Sequence, residues 1–283
     1  MINITKKQHF VPQFYLKQFA GENGMLCCYR KNDGKQFSAH PKDICFKDYG
    51  YEVQASHGKN KFILPNEIEK MFSMIEREYS TVLRSIVDKC LINLDKTALI
   101  CTLKEKEVLA SMVANFISRN FFVVNSFIDE DETLDLLQNK EIIEIDNLLR
   151  EMNLGNIRPL VELSQQKIFL SPTEDGITKK ITGNLLNLNL SFFVTKSRNF
   201  VTSDCPVGYN CSTEEFFMAR IPLTPRITAV YSNSEFSRQF KNKSLLIEDR
   251  FVKKINQDYF NWDIPQLIIA KSKDDIQMLM KKI

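Results

Sequence analysis

An α+β fold is predicted, with a helical middle packed against a mixed or antiparallel sheet built from both ends of the chain. Three observations predict it. Between residues 65 and 170 apolar side chains recur at spacings of three and four, the period of an amphipathic helix. Before and after that stretch, short runs rich in Val, Ile, Phe, Tyr and Thr are bounded by turn residues, as strands are. The 283 residues, 43% hydrophobic and 26% charged, match a globular protein with a sizeable core. One domain over residues 1–283 is expected, with an N-terminal motif and hairpin (1–64), a helical part (65–170) and a β-rich C-terminal part (171–283).

Near the start stands His9-Phe10-Val11-Pro12-Gln13-Phe14-Tyr15-Leu16. Proline suits the first helical position, where its missing N–H would lack a partner anyway. A short helix is therefore predicted from Pro12 to Phe19, stopping at Gly21. Val11, Tyr15 and Phe19 are four apart and share a core-facing side. His9 then sits just ahead of a helix N-terminus, whose dipole disfavours an imidazolium by roughly 0.3–1 kcal/mol at an exposed site. A neutral ring can accept a proton or bind a metal; it can equally serve only to hydrogen-bond backbone. Met25–Arg30 reads as a strand, Asn32-Asp33-Gly34 as a turn and Lys35–Ser38 as the returning strand. Asp43–Tyr51 is mixed and aromatic, and His40 and His57 are read as exposed loop histidines.

The first long helix is predicted from Pro65 to Cys90, with Ile68, Phe72, Ile75, Tyr79, Val82, Ile86 and Cys90 as its apolar stripe. Glu76 lies one residue off that stripe, so it either reaches outward or turns inward to a partner. Thr102 and Glu105 form a capping box for a second helix, apolar nearly all round from Val108 to Ile128 and hence interior. Its narrow polar line is Ser111, Asn115 and Arg119. A buried guanidinium requires a carboxylate, a carbonyl cluster or an anionic ligand, and Glu76 is the candidate for a structural ion pair. After the acidic break Asp129–Glu132, a third helix is predicted over Thr133–Met152, with Leu134, Leu137, Ile142, Ile145 and Leu149 on one side. Gly155 ends it, and a shorter helical piece runs from Pro159 to Lys167.

Ser171–Gly176 is a loop, and Ile181–Leu190 reads as a helix tail leading into strands. Leu190–Val194 and Phe200–Thr202 are predicted as a hairpin turning at Lys196–Asn199, followed by Ser203-Asp204-Cys205-Pro206. Ala219–Pro225 and Ile227–Tyr231 supply further strand, the prolines placing the former at an edge or a sheet end. Ser244–Phe260 is predicted helical, Gln266–Ala270 a last strand, and a short helix follows Lys273.

Composition excludes several classes. A net charge of +3 is too small to argue for nucleic acid by itself, and Lys253-Lys254 and Lys281-Lys282 read as solvated surface. Seven cysteines, an odd number without a CxxC, indicate neither a disulfide framework nor a zinc site; free thiols in a reducing cytoplasm are expected. Met-Ile-Asn-Ile-Thr-Lys-Lys lacks the apolar core of a signal peptide. The most apolar helix carries Arg119 at mid-span, which argues against a membrane helix.

Several of these pieces, in this order, resemble a family of uncharacterised bacterial proteins, domain of unknown function 4238. They are His9-Phe10-Val11-Pro12 with Tyr15-Leu16 and Phe19; Tyr51; Ile75-Glu76; Arg119; Thr202-Ser203-Asp204-Cys205-Pro206-Val207; Pro222-Leu223-Thr224-Pro225; and Asn256. Cys205 departs from the small or polar residue, often Asn, that the resemblance implies there. The resemblance brings a residue set and no activity. A place in bacterial defence is suggested by the kind of family and by no residue.

The candidate site is accordingly His9, Asp204 and Glu76 as catalytic groups, with Arg119, Ser203, Asn256, Tyr15 and Gln13 binding substrate. If they converge, they offer a neutral base or ligand, carboxylates and a fixed cation. Such a set suits phosphoester hydrolysis of a nuclease-like kind, with nucleic acid or a nucleotide as partner and a divalent ion such as Mg²⁺ or Mn²⁺ as a compatible cofactor. There is no HNH-type histidine cluster, phosphate loop or Gly-x-Ser-x-Gly, and a Ser203 nucleophile would need His9 delivered from far away in sequence. Two other classes fit the same residues. One is a non-catalytic effector or regulator in which Arg119 and Glu76 staple the core and Asp204 caps a turn. The other is a small-ligand module whose pocket uses Arg119 and Asn256. A shared cleft for His9, Arg119 and Asp204 would favour catalysis or binding; separate pairing would favour the staple.

Overall fold

A computed structural model of the chain describes residues 3–56, 61–94, 98–121, 123–124, 135–152, 155–213 and 216–280. The protein is α+β, and its strands form three sheets rather than one, of two, four and five strands. His57 and Lys281-Lys282 lie outside the described residues.

An unpredicted strand β1 (Lys7–His9) pairs antiparallel with β4 (Phe46–Asp48), His9 opposite Phe46. Pro12 is extended (φ −59°, ψ 140°) and caps helix α1 (Gln13–Leu16) rather than occupying its first turn. Its carbonyl accepts from the N–H groups of Tyr15 and Leu16, both at 3.1 Å. A 3-10 turn over Lys17–Phe19 completes the segment. Val11, Tyr15 and Phe19 are all buried.

The predicted hairpin forms from β2 (Leu26–Arg30) and β3 (Gln36–Ala39), with Gly34 at φ +69°, where a side chain would be strained. It is half of a sheet of order β3-β2-β11-β6, whose other strands are β11 (Leu267–Ala270) and β6 (Thr202–Ser203). Both chain ends thus contribute to one sheet.

Helix α2 (Glu67–Ile92) buries Ile68, Phe72, Tyr79, Leu83, Ile86 and Cys90. Helix α3 (Leu103–Ser118) starts at the predicted capping box: Glu105 N donates to Thr102 Oγ1 (3.2 Å) and Thr102 N to Glu105 Oε2 (2.9 Å). It ends ten residues before the predicted Ile128, with Arg119 as its C-cap. There the Tyr51 hydroxyl donates to the Arg119 carbonyl at 2.6 Å, satisfying one of the carbonyls left free at the helix end. The predicted segment 125–128 and the acidic break lie outside the described residues.

Helix α4 (Lys140–Glu151) buries no residue, so the apolar side read from the sequence is not covered: Ile145 is 47% exposed, while Leu134 is outside the described residues. Apolar periodicity identifies the side of a helix that would pack, not whether a partner covers it. Helix α5 (Arg158–Leu170) begins with Pro159 in its first turn. Helix α6 (Ile177–Leu186) starts four residues before the predicted tail and packs on α3.

The five-stranded sheet comprises β5 (Asn189–Val194), β7 (Gly208–Thr213), β8 (Phe216–Thr224), β9 (Ile227–Ser232) and β10 (Ser244–Leu246), in the order β10-β5-β9-β8-β7. The predicted hairpin of Leu190–Val194 with Phe200–Thr202 does not form. β5 pairs with β9 and β10, while β6 pairs with β11. Residues 195–201 carry the chain between sheets, held by Thr195 N to Arg226 O (3.0 Å) and Phe200 N to Pro225 O (2.8 Å). Pro222 lies past Gly208↔Arg220, where β7 pairing with β8 ends, so no partner on that side asks for its missing N–H.

A short turn of helix, α7 (Glu235–Arg238), precedes β10, which runs parallel to β5 where helix was predicted. Helix α8 (Asp249–Asn261) follows, and α9 (Lys273–Met280) comes after β11 as predicted. One face of the five-stranded sheet, with Phe192, Ala219, Ile221, Leu223, Ala229 and Tyr231, joins the main core with α2 and α3. Among the described residues no helix is long and apolar enough to cross a membrane. Cys27, Cys28, Cys45, Cys90, Cys101 and Cys205 are free thiols.

Candidate functional site

The C-terminal end of α3 organises the predicted residues. Arg119 is 1% exposed. One guanidinium nitrogen donates to Glu76 Oε1 at 2.7 Å and approaches Asn115 Oδ1 at 3.5 Å; the other donates to the main-chain carbonyl of His9. Its Cζ lies 3.8 Å from the centre of the Phe72 ring, a cation–π contact. Burial is the largest influence and works against the charge, but Glu76 and Tyr51 together outweigh it and the net shift strengthens the cation. The guanidinium is therefore a charged staple joining α2, α3 and β1.

His9 is brought to Arg119 through its backbone, not its ring. The ring packs on Phe46 (5.6 Å between centroids), and Nδ1 is 3.5 Å from Gln13 Nε2. Nε2 is buried without a formed hydrogen bond. Burial lowers the pKa below 6.5; the carbonyls of Lys42 and Pro41 pull it partly back, while the charges of Arg119 and Lys7 push it further down. Burial is thus the main reason the ring favours its neutral form.

Asp204 reaches the same helix end one residue later. Asn120 Nδ2 donates to the Asp204 carbonyl and to Cys205 Sγ, both at 3.2 Å. The Asp204 carboxylate faces β11, accepting from Gln266 N at 3.1 Å and Leu267 N at 3.2 Å. Burial raises its pKa to about 6, against those two backbone donors. Ser203 Oγ is used within its own turn, donating to Cys205 O (2.7 Å) and accepting from Cys205 N (3.1 Å). Asn256 bridges Val201 N (3.1 Å) and Asn199 O (2.8 Å). The hydroxyl of fully buried Tyr15 meets Thr202 Oγ1 at 2.7 Å and Pro222 O at 2.6 Å. Consecutive residues Arg119 and Asn120 thus hold His9 and Asp204 by their backbone carbonyls, while the Glu76 side chain pairs with Arg119 and those of Ser203, Asp204 and Asn256 bond elsewhere. The cavity beside Asp204, about 150 Å³, is lined by Asn120, Cys205, Tyr209 and Trp262, and not by His9 or Arg119.

Asp204→Ala leaves two backbone donors without their acceptor and is expected to lose about 1–3 kcal/mol. Asp204→Asn keeps an acceptor oxygen and is expected to lose less. Urea denaturation of the pair checks this ordering.

Sequence reasoning missed three contributors. Gln8, fully buried, donates to Glu52 Oε1 (2.6 Å) and accepts from Tyr51 N (2.7 Å), tying β1 to the segment that holds Arg119. No pattern marks it beyond its place beside His9. Asn120 follows Arg119 directly but falls off the 111–115–119 line. Glu69 precedes Glu76 by two helical turns, a spacing that could have been noticed. Its Oε1 is buried without a partner, and burial raises its pKa to about 7, opposed by Arg119 and aided by Glu76 and Glu52.

The sign of the Glu69 effect follows from linkage. Its folded pKa stands above the ordinary 4.5, so folding binds a proton between pH 4.5 and 7. The stabilisation is complete below 4.5 and is lost as pH rises through about 7. Glu69→Gln is expected to gain thermal stability relative to the parent on going from pH 5 to pH 8, and paired melting curves check it.

Among the described residues no three His, Cys, Asp or Glu side chains converge so as to hold a metal ion. No curated protein and no solved structure matches the chain. A family model described as protein of unknown function (DUF4238) matches residues 7–276, nearly the whole length, and the chain belongs to that family.

Proposed function

We propose that this protein is a non-catalytic small-ligand-binding regulator in which the polar motif residues are framework. One observation carries this: Glu76, Arg119, Ser203, Asp204 and Asn256 each hydrogen-bond to other groups of the protein, and His9 is held through its carbonyl, leaving only His9 Nε2 and Arg119 Nε in the set buried without a partner. Arg119 is divided between Glu76 and the His9 carbonyl, and Asp204 holds two backbone N–H groups of the neighbouring strand. A catalytic carboxylate or guanidinium must have reach to a substrate, and these two are already engaged.

A nuclease-like phosphoester hydrolase is the second reading, and a different residue supports it. Glu69, with a pKa near 7, lines an open cleft of about 850 Å³ together with Lys70, Lys167 and Ser171. A near-neutral carboxyl suits general acid–base work, while Lys70 and Lys167 are each ion-paired to Glu67, at 3.0 and 3.2 Å. The test incubates the purified protein with DNA, RNA and nucleotides, with and without Mg²⁺ or Mn²⁺, beside folded Glu69→Gln, His9→Ala and Asp204→Ala variants. No turnover by the parent is the expected result. Metal-dependent turnover that Glu69→Gln abolishes would replace the binding role with the hydrolytic one.

A further inference from the structure

The outer face of the five-stranded sheet carries a feature that the motif residues do not touch. Strand alternation puts Met218, Arg220, Val230 and Phe193 on the side away from the main core, Arg220 opposite Val230 and Phe193 two strands along. Helix α8 faces them with Phe251, Lys254, Ile255 and Asp258, spaced three and four apart on one side of the helix. Between them lies a cavity of about 600 Å³, within the ordinary size of a small-molecule site, about 300–1,000 Å³. Its walls are mostly apolar, and Phe251 is 49% exposed along its rim.

Arg220 is the exception in that wall. It is 8% exposed, and its Nε–H is buried without a partner. A terminal nitrogen meets Asp258 at 2.8 Å, and the guanidinium lies 5.5 Å from the Tyr259 ring centre. The same Arg220–Asp258 pair also lines a smaller cavity of about 250 Å³. A buried guanidinium left with a free donor costs stability unless an acceptor reaches it. Arg220 and Lys254 against Asp258 leave one net positive charge facing the apolar cavity. Its walls suit a hydrocarbon or aromatic body, and its charge suits an anionic head.

We propose that this groove binds a small amphipathic carboxylate, its tail along Phe193, Met218, Val230, Phe251 and Ile255 and its head against Arg220 and Lys254. The site deepens the ligand-binding role proposed above and rests on it. Arg220 supplies the guanidinium of the wall and Lys254 the exposed charge. A neutral molecule of the same shape would leave the guanidinium and the charge unanswered, and a cation would be repelled.

The experiment titrates the full chain by calorimetry with dodecanoate, and separately with dodecyltrimethylammonium, both below their micelle-forming concentrations. Dodecanoate is expected to bind one to one and the cation not to bind. Lys254→Glu, on an exposed side chain, is expected to weaken dodecanoate by about tenfold, the scale of one exchanged ionic contact. Arg220→Met is expected to weaken it further, and Ile255→Trp, which fills the groove, to abolish it. Equal binding of anion and cation, or a dodecanoate affinity indifferent to both Lys254→Glu and Ile255→Trp, overturns the site. Absence of dodecanoate binding by the parent does so as well. Phosphoester turnover is measured separately, so failure of the groove is distinguishable from failure of the binding role.

Discussion

Arg119→Met is expected to lose about 3–5 kcal/mol of folding stability, the range for breaking a buried ion pair from one side. The substitution preserves much of the side-chain length and removes the charge. Glu76, with 26% of its side chain exposed, loses its partner at 2.7 Å, and the His9 carbonyl loses its donor. The cation over Phe72 goes too. Glu76→Gln probes the other half of the pair: it leaves the guanidinium charged and buried with only a neutral acceptor, and a loss of similar sign is expected. Arg119→Lys keeps the charge, but one ammonium cannot span Glu76 and His9 as a planar fork does, so its loss falls between the parent and Arg119→Met. Urea unfolding of the three variants provides the measurement. A loss under about 1 kcal/mol for Arg119→Met, the scale of a solvent-exposed pair, would mean that the staple does not hold the N-terminal strand.

Gly176→Ala is expected to lose about 3 kcal/mol or more, the upper end for overpacking a close-packed site. A Cβ at this position would stand 2.0 Å from the Ile168 carbonyl oxygen and 2.7 Å from its carbon. Both are backbone atoms of α5, so no side chain can swing aside. The φ of −99° suits any residue, which leaves the collision as the cause. The glycine lets α6 start against the end of α5, and α6 in turn supports α3, where Ser118 Oγ meets Thr178 Oγ1 at 2.6 Å. Gly183 lies within the same helix, and a Cβ there meets nothing within 4 Å. Gly183→Ala is therefore expected to gain up to about 1 kcal/mol from helix propensity. Thermal melts of the two variants should move in opposite directions.

Local chemistry made much of the fold readable. The capping box at Thr102 and Glu105, the turn at Gly34 and the terminal strand and helix each depend on a few adjacent residues. What failed depends on distant partners. Leu190–Val194 and Phe200–Thr202 both have strand character, but only the rest of the chain decides that they belong to different sheets. The α4 stripe is genuine as a pattern and uncovered as a surface among the described residues. At the candidate site the sequence indicated that a cation inside an apolar helix must find an anion, and Glu76 answers it. It did not indicate that His9 would be reached through its carbonyl, because a backbone atom carries no residue-specific signal. Arg220 was invisible for a related reason: alternation in β8 assigns it to the far face, and only α8 makes that face an interior one.

Strand β2 is complete by residue 30, yet its neighbour β11 spans Leu267–Ala270. During synthesis the early hairpin must wait while more than two hundred residues are added, on the order of 10–50 s at ordinary translation speeds. Throughout that interval β2 presents an open edge of the kind that recruits other chains. Recombinant yield should therefore respond to growth temperature and chaperone supply more than the finished protein's stability suggests, and chains truncated before β11 should accumulate as aggregates.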